Sequence, residues 1–216
     1  MTDFILHGYF RSSASYRVRI ALHLKGIAYA DAFHHLRLGG QRAPDYLALN
    51  PQGFVPALEA ESDVLTQSLA ICEYLDERFP DPPLLPSEPL ARAKVRAAAQ
   101  AIACDVHPLQ NLKVLEYLRD AGLSQDQVAA WAARVITEGL DAFEALIARR
   151  PETHSSGPYC FGGSVTLADI CLVPQLANAR RFGVEPAWPH ILEAERACLC
   201  LDAFRKAAPE NQPDAE

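Results

Sequence analysis

The sequence predicts a two-domain α+β protein, in which residues 1–80 form a mixed domain of order βαβ-ββα and residues 87–216 form an all-α domain. Strand-like apolar runs alternate with helical patterns only in the first part of the chain. The block Pro80–Pro86 contains four prolines and interrupts both patterns, so we place the domain boundary there. Beyond that block, apolar residues recur only at helical spacing.

Composition excludes several classes of protein. The 216 residues carry a net charge of −7, which argues against a general binder of nucleic acid or of membrane surfaces. No apolar run approaches the ~18 residues of a membrane helix. The start, Met1-Thr2-Asp3, has no secretory signal, which predicts a cytoplasmic protein. None of the six cysteines forms a C-x-x-C pair, so we expect reduced, buried thiols and no metal site: Cys72, Cys104, Cys160, Cys171, Cys198 and Cys200.

The first domain is expected to contain four strands and three helices. The strands are predicted at 4–9, at 28–33, after Pro56, and at 63–66; the helices at 15–25, at 46–50, and from Ser68 onward. Pro56 cannot donate to a sheet ladder, so it belongs on a sheet edge or in a cis turn that exposes the preceding backbone to a ligand. His34 and His35 have no other metal-type ligands nearby and are predicted to be surface or rim residues.

The second domain is expected to contain four helices. One long helix at 88–119 should be kinked by the internal Pro108. Capping boxes at Ser124–Gln127 and Thr166–Asp169 open helices that run to about Arg149 and toward Arg181. A last helix is predicted at 190–207, followed by a polar, frayed tail from Pro209. The buried face of the second helix should include four residues: Val128, Trp131, Val135 and Phe143.

The serines between the first strand and the first helix are the main candidates for chemistry. Ser12, Ser13 and Ser15 lie where a helix N-terminus offers unpaired N–H groups and a partial positive charge, which favour an anion or a thiolate. Arg11 and Arg17 add full positive charges. The alternative is an ordinary helix cap flanked by surface arginines, because capping is the commonest role of such serines. Ser68 opens a second helix and offers another anion site.

Five stretches of the chain resemble the zeta class of cytosolic glutathione transferases. The resemblance covers nearly the whole chain in order, and it implies a thioredoxin-like N-terminal domain and an all-α C-terminal domain. Its most specific motif is a serine pair followed, after three variable residues, by Arg-Val-Arg-Ile-Ala-Leu. The matching stretches are Ser12–Leu22, Asn50–Pro56, Gln67–Ile71, His107–Leu115 and Asp169–Gln175.

The resemblance implies roles for individual residues. Ser12, with Ser13 beside it, matches the serine that activates the glutathione thiol, and Val55 matches the residue whose backbone pairs with glutathione ahead of a cis Pro56. Residues that are expected to line the glutathione site as a whole are Ser12, Ser13, Ser15, Arg17, Gln41, Val55, Pro56, Gln67, Ser68, His107 and Asn111. The candidates to hold the carboxylates of a small dianionic keto-acid substrate are Arg11, His107, Lys113 and Arg181. The alternatives are that His107 satisfies a carbonyl freed by the helix kink and that Lys113 is a solvated helix residue. Of the adjacent pair Arg180 and Arg181, only one is expected to face the substrate, since the two lie about 100° apart on a helix.

The resemblance also implies the reaction. It points to a homodimeric, glutathione-dependent cis-trans isomerase that converts maleylacetoacetate to fumarylacetoacetate in aromatic amino-acid breakdown. The alternatives are a maleylpyruvate isomerase, a transferase that conjugates or dechlorinates small haloacids, and a scaffold that has lost its chemistry. Ala14 stands where many relatives carry cysteine, which disfavours a dehalogenase that resolves mixed disulfides through that residue. The intact Ser12, Pro56 and Gln67-Ser68 set disfavours the scaffold.

Overall fold

The computed structural model of the chain describes residues 4–149 and 157–216. They form two compact units: the first comprises the chain up to Leu84 together with Leu199–Glu216, and the second comprises Leu85–Cys198. The first division falls within the predicted proline-rich boundary. The C-terminal division differs from the prediction, because residues 199–216 fold with the first unit and not with the helical one.

The first unit is built on a four-stranded mixed sheet. Its strands are β1 (Phe4–Gly8), β2 (Ala30–Phe33), β3 (Ala57–Ala60) and β4 (Asp63–Thr66), in the spatial order β2-β1-β3-β4. β1 pairs with β2 in parallel and with β3 antiparallel, and β3 pairs antiparallel with β4. This arrangement confirms the predicted βαβ-ββα order, and it places the carboxyl end of β1 in the middle of the sheet.

Three helices follow strands of this sheet: α1 (Ser13–Leu24), α2 (Pro44–Leu49) and α3 (Ser68–Arg78). Short 3₁₀ turns at Leu36–Leu38 and Gly40–Arg42 connect β2 to α2. α1 is buried along most of its length, from Ser13 to Leu22. It begins two residues earlier than predicted, so that Ser12 is its N-cap residue.

The second unit is all-helical, as predicted. Its α-helices are α4 (Pro89–Gln100), α5 (Leu112–Asp120), α6 (Gln125–Ala148), α7 (Leu167–Arg181) and α8 (Pro189–Leu199). The single kinked helix predicted at 88–119 is wrong. After α4 the chain forms a π-helical turn at Ala101–Val106 and a 3₁₀ turn at His107–Gln110 before α5 starts. Pro108 lacks an N–H, and Asn111 is extended and caps α5 with its side chain, so the helix restarts there.

Two of the four residues predicted for the buried face of α6 are wrong, each by one position. Val128 and Phe143 are buried as expected, but Trp131 is 38% exposed and Val135 is only partly buried. Trp131 donates its indole N–H to the carbonyl of Leu109, which satisfies its polar end near solvent. The buried residues of α6 are Val128, Ala132, Ile136, Leu140, Phe143 and Ile147.

Both predicted capping boxes are present, at Ser124–Gln127 and at Thr166–Asp169. The second lies deep in the helical unit, where Asp169 is fully buried. Its carboxylate accepts the backbone N–H groups of Cys160 and Thr166 at 2.8 Å each, and the Thr166 hydroxyl at 2.9 Å. Asp169 therefore joins the start of α7 to the segment that precedes it.

The C-terminal residues differ most from their prediction. The helix expected at 190–207 is divided into α8 and a short α9 (Asp202–Ala207), which packs on α1. The tail expected to be frayed instead forms a 3₁₀ turn at Pro209–Asn211, after which Gln212 is buried. Its amide donates to the carbonyls of Lys206 and Ala208, both at 2.8 Å. None of the helices in the described ranges is long and apolar enough to cross a membrane.

We predict that Asp169→Ala lowers the free energy of unfolding by about 3 kcal/mol, because three buried donors lose their acceptor. Asp126→Ala is the matched control: Asp126 also lies in the first turn of a helix, α6, but is exposed. Its loss should cost about 0.5 kcal/mol. Urea unfolding followed by circular dichroism measures both values, and equal losses would contradict the structural role given to Asp169.

Candidate functional site

Ser12 lies at the N-terminus of α1, at the end of the short turn that follows the carboxyl end of β1. Its hydroxyl oxygen accepts the backbone N–H of Ser15 at 3.1 Å, as an N-cap does. That bond uses a lone pair of the oxygen and leaves the hydroxyl proton available to a second group. The helix N-terminus adds a partial positive charge at the same place. Ser12 can thus donate a hydrogen bond to an anion or a thiolate.

The other serines of the cluster are more buried than Ser12. Ser13 is 8% exposed, and Ser15 is fully buried with its hydroxyl facing Gly8 of β1. A Cβ atom at Gly8 would lie 3.4 Å from that hydroxyl, so the glycine allows α1 to pack closely on the sheet. The position of Ser15 supports a contribution through its backbone N–H to Ser12, and does not support direct contact of its side chain with a ligand.

A turn before β3 presents the backbone of Val55. The Val55–Pro56 peptide is cis, which confirms the prediction made from the sequence. The preceding carbonyl, of Phe54, accepts the hydroxyl of Tyr46 at 2.5 Å and the side-chain amide of Asn50 at 2.7 Å. Burial raises the pKa of Tyr46 to about 12, so the phenol stays protonated and remains a donor. No described residue pairs with the backbone of Val55.

The turns that carry Ser12 and Val55 share one apolar cluster. Tyr9 and Phe10, which precede Ser12, pack with Tyr46, Val55 and Ala57. A movement of either turn would therefore open a cavity in a packed core, which is costly. The structure brings these two predicted site segments together.

The junction of β4 and α3 is strained at Gln67. This residue has φ +70°, which non-glycine residues seldom adopt, and its side-chain amide donates to Gln52 at 2.9 Å. Such strain costs about 1–3 kcal/mol and is found mostly at functional sites. Next to Gln67, Ser68 opens α3 and accepts a hydrogen bond from Arg17 at 3.2 Å. Arg17 is 1% exposed, so its charge reaches this helix N-terminus from inside the unit.

Two further predicted residues flank these segments. Gln41 lies in the 3₁₀ turn Gly40–Arg42, and its side-chain oxygen is buried without a hydrogen-bond partner among the described residues. Arg11, directly before Ser12, is partly buried and stacks over the ring of Phe10 at 5.0 Å. The Gln41 oxygen can therefore accept a hydrogen bond from a ligand, and the Arg11 guanidinium can donate to one.

A histidine pair lies beneath this region, which the sequence had not indicated. His34, which was predicted to be a surface or rim residue, is partly buried: its ring centroid lies 4.1 Å from that of Tyr46, and its Nε2 lies 2.9 Å from Nδ1 of His7. His7 is 6% exposed and also contacts Glu59 at 2.7 Å. Burial and the neighbouring His7 lower the pKa of His34, which favours its neutral form. These rings support Tyr46 and, through it, the turn at Val55.

In the helical unit, His107 and Asn111 flank the 3₁₀ turn between the π-turn and α5. Both are partly buried, and the Asn111 side chain accepts the backbone N–H of Lys113 at 3.4 Å as the cap of α5. Lys113 is exposed on the first turn of that helix. The structure therefore places the three predicted residues within one short stretch of backbone.

The structure distinguishes Arg180 from Arg181 at the end of α7. Arg180 forms a two-pronged ion pair with Glu195 of α8, at 2.6 and 2.7 Å, and this pairing raises its pKa. Glu195 is 5% exposed, so Arg180 neutralises a buried carboxylate. Arg181 donates instead to the side-chain oxygen of Asn178 at 3.1 Å.

Asn178 belongs to a row of side-chain amides that ends at Arg181. It donates to the side-chain oxygen of Gln110, and Gln110 donates to that of Gln175 at 3.4 Å. All three amides are at least nine-tenths buried. Aligned amide dipoles strengthen one another, so this row fixes Arg181 relative to the turn at His107–Gln110.

Two family models match the chain in order. The glutathione S-transferase N-terminal domain matches residues 11–78, and the glutathione S-transferase C-terminal domain matches residues 114–196. The maleylacetoacetate isomerase of Pseudomonas aeruginosa is 49% identical over 213 residues, which are 97% of this chain and 97% of that protein. The chain also superposes on the holo structure of a maleyl pyruvate isomerase, a bacterial glutathione S-transferase of the zeta class, with a TM-score of 0.94. The two sequences are 45% identical, and the match covers 98% of this chain and 100% of that one.

The chain belongs to the zeta-class glutathione transferase and maleylacetoacetate isomerase family. A second zeta-family relative, the maleylpyruvate isomerase of a Ralstonia species, is 46% identical over 97% of this chain and 99% of its own. A structure of maleylacetoacetate isomerase from Anaeromyxobacter dehalogenans, with bound dicarboxyethyl glutathione and citrate in the active site, superposes with a TM-score of 0.87 at 38% identity over 100% of both chains.

Sequence reasoning missed several residues that support the backbone of the candidate site. Tyr46 and the His7–His34 pair come from segments distant in sequence, so no spacing could reveal them. Gln110 and Gln175 lie within the two motif stretches His107–Leu115 and Asp169–Gln175, which is the one signal that could have drawn attention to them. In the described parts of the chain, no three His, Cys, Asp or Glu residues are arranged to hold a metal ion.

Proposed function

We propose that this chain is a glutathione-dependent cis-trans isomerase that converts maleylacetoacetate to fumarylacetoacetate. The observation that carries the proposal is Ser12: it is the most accessible serine of its cluster, it caps α1, and its proton is left for a second bond. The similarity to maleylacetoacetate isomerases over nearly the whole chain supports the substrate. Glutathione is the cofactor, as in the related structures that contain it.

Ser12 is proposed to stabilise the glutathione thiolate. A free thiol has a pKa of about 8.5, so only a small fraction is ionised at neutral pH. Lowering that pKa by about two units takes roughly 2.7 kcal/mol of differential stabilisation. The Ser12 hydroxyl and the N-terminal dipole of α1 are the two sources that the first unit offers. Val55 would pair with the glutathione backbone, and Gln67, Ser68, Arg17 and Gln41 would bind its charged and polar ends.

The reaction needs no net proton transfer. The thiolate adds to one carbon of the cis double bond, and the electron pair of that bond moves onto the conjugated carbonyl as an enolate. The former double bond is now single and rotates. The enolate then re-forms the double bond in the trans geometry and expels the thiolate, so that glutathione is regenerated. A bound dicarboxyethyl glutathione in a related active site is compatible with addition of this kind.

Positive groups are needed for the substrate carboxylates and for the enolate. We assign a carboxylate of the substrate to Arg181, because Arg180 is engaged with the buried Glu195, whereas Arg181 is oriented by the row of buried amides at the end of α7. Arg11, His107 and Lys113 are the further candidates. His107 and Asn111 are also kept as proposed contacts of glutathione.

Maleylpyruvate isomerisation is the second candidate function. A maleylpyruvate isomerase is nearly as similar to this chain as the maleylacetoacetate isomerases are, and its substrate differs only in the acyl tail. A comparison of kcat/KM for the two substrates decides between them. Conjugation or dechlorination of haloacids could use the same thiolate, but Ala14 provides no cysteine to resolve a mixed disulfide. A cytoplasmic location is proposed because all six cysteines are free thiols.

We predict that the parent isomerises maleylacetoacetate only when glutathione is present, and that Ser12→Ala lowers kcat/KM by about 30- to 100-fold through the loss of thiolate. Loss of the helix cap should also cost about 1 kcal/mol of stability. Ser12→Asp separates the two effects: it restores the cap but cannot donate to sulfur, so it should be stable and inactive. Ser124→Ala, the control, removes the exposed N-cap serine of α6 and should keep kcat/KM within a few-fold of the parent. Parental activity in Ser12→Ala would refute Ser12 as the thiol activator.

We predict that Arg181→Ala raises KM for the acidic substrate by about 10- to 100-fold, since one charge-assisted hydrogen bond contributes roughly 1.5–3 kcal/mol. The dissociation constant for glutathione should barely change. Arg181→Lys should recover only part of the loss, because a point charge cannot make a two-pronged contact. The control Arg180→Lys keeps the charge beside Glu195 and should leave KM unchanged. An equal fall in glutathione affinity would show that Arg181 serves the cofactor instead.

A homodimer is proposed from the family resemblance. Light scattering at micromolar concentration should give twice the mass of the 23.7 kDa chain. A monomer mass under the same conditions would contradict this proposal.

A further inference from the structure

The turn Tyr9–Ser12 is held from behind by the C-terminal end of the chain. The amide N–H of Phe10 donates to one carboxylate oxygen of Asp214 at 3.0 Å, across 204 residues of sequence. The other carboxylate oxygen of Asp214 is buried and has no hydrogen-bond partner among the described residues. Residues 207–216, which we name the C-terminal strap, therefore contact the turn that leads to the α1 cap.

Arg19 holds the opposite side of the same turn. It lies two turns into α1, is 3% exposed, and donates to the carbonyl of Phe10 at 3.0 Å. It also donates to the carbonyl of Ala207 in α9 at 2.9 Å and, more weakly, to that of Tyr9 at 3.5 Å. Burial lowers the pKa of Arg19 to about 10, so the guanidinium remains charged at neutral pH. The strap and the turn are thus joined through one buried cation.

The strap is itself fixed. The side-chain amide of the buried Gln212 donates to the carbonyls of Lys206 and Ala208. At the end of the strap, Glu216 pairs with His35. The Tyr16 hydroxyl donates to the carbonyl of Phe204 at 3.2 Å, which holds α9 on α1. Asp214 is therefore presented to the turn by an anchored segment.

The turn ends at Ser12. The backbone N–H of Ser12 donates to the carbonyl of Tyr9 at 3.0 Å, which closes a four-residue turn with Phe10 and Arg11 at its centre. Because Asp214 binds the N–H of Phe10 and Arg19 binds its carbonyl, the peptide planes on both sides of Phe10 are fixed. The direction in which the Ser12 hydroxyl points depends on those planes.

We propose that Asp214 is a positioning residue of the isomerase: by holding the Phe10 amide, it orients the Tyr9–Ser12 turn so that the Ser12 hydroxyl reaches the sulfur of glutathione. The inference rests on the proposed role of Ser12. It goes beyond that role by giving the C-terminal strap, which lies at the far end of the sequence, a part in thiol activation.

The direction in which the pKa of the bound thiol shifts in Asp214→Ala separates a positioning role from a plain charge effect. Removing a nearby negative charge favours a thiolate, so a charge effect alone would lower the pKa of the bound thiol in Asp214→Ala. Loss of the Ser12 hydrogen bond disfavours the thiolate, so misplacement of the turn raises that pKa. A role only in folding would lower the melting temperature and leave the thiol unchanged.

The experiment measures the pKa of the glutathione thiol in the binary complex, from the ultraviolet absorbance of the thiolate, together with kcat, KM and the melting temperature. Asp214→Ala should raise the thiol pKa by about one unit and lower kcat about tenfold, the equivalent of about 1.4 kcal/mol. Asp214→Asn keeps a carbonyl acceptor for the Phe10 amide, and its kcat should stay within about threefold of the parent. Glu210→Ala is the matched control, because Glu210 is an exposed acid of the same strap.

Each outcome has one meaning. A lowered or unchanged thiol pKa in Asp214→Ala overturns the inference, as does a kcat in Asp214→Asn as low as that of the alanine variant. If the alanine variant does not fold, Asp214→Glu carries the test, since it keeps the charge but displaces the acceptor by one methylene, and the thiol pKa should again rise. A parent whose bound thiol has the pKa of free glutathione would instead refute the proposed role of Ser12, and the inference with it.

Discussion

The hydrogen bond from the Ser15 amide to the Ser12 hydroxyl is the interaction on which the first unit depends for its chemistry. It caps the start of α1 near the carboxyl end of β1, a central strand of the sheet. Because the Ser12 oxygen accepts from the helix through one lone pair, the hydroxyl proton is left available to a second group. One bond therefore serves both the stability of α1 and the availability of a donor, so a structural and a chemical requirement coincide at one atom.

Buried polar groups, more than apolar contacts, determine where the backbone of the candidate site lies. Tyr46 and Asn50 hold the carbonyl before Val55, and Arg17 contacts Ser68 from inside the unit. In the helical unit, three side-chain amides orient Arg181. Each such group would be costly to bury alone, and each becomes stable only in one arrangement of its partners. A site for addition to a double bond requires a backbone fixed in this way, since small displacements of the reacting groups lower the reaction rate strongly.

Local signals predicted the elements, and long-range contacts account for what they missed. The βαβ-ββα order of elements along the chain, both capping boxes and the cis peptide at Pro56 follow from spacing, cap residues and the family motifs, and the structure confirms them. The motif residues Ser12, Val55 and Gln67 lie in turns and at helix starts, as expected. Trp131 was misplaced because a periodicity of four can be read in two phases, and its indole found a carbonyl partner near solvent. The tail was expected to fray because its composition is polar, but hydrogen bonds with the turn Tyr9–Ser12 and with Arg19 of α1 help to order it.

The first unit is discontinuous in the sequence, since it needs residues from both ends of the chain. Arg19 and its carbonyl partner in Ala207 are separated by 188 residues, so this contact cannot form until the helical unit between them has been synthesised. During synthesis the sheet and α1 are made first, and until residue 207 is made Arg19 lacks one of its carbonyl acceptors. Folding of the first unit is therefore completed only when residues 207–214 join the turn before Ser12, and a chain that lacks these residues would leave that turn without its Asp214 contact.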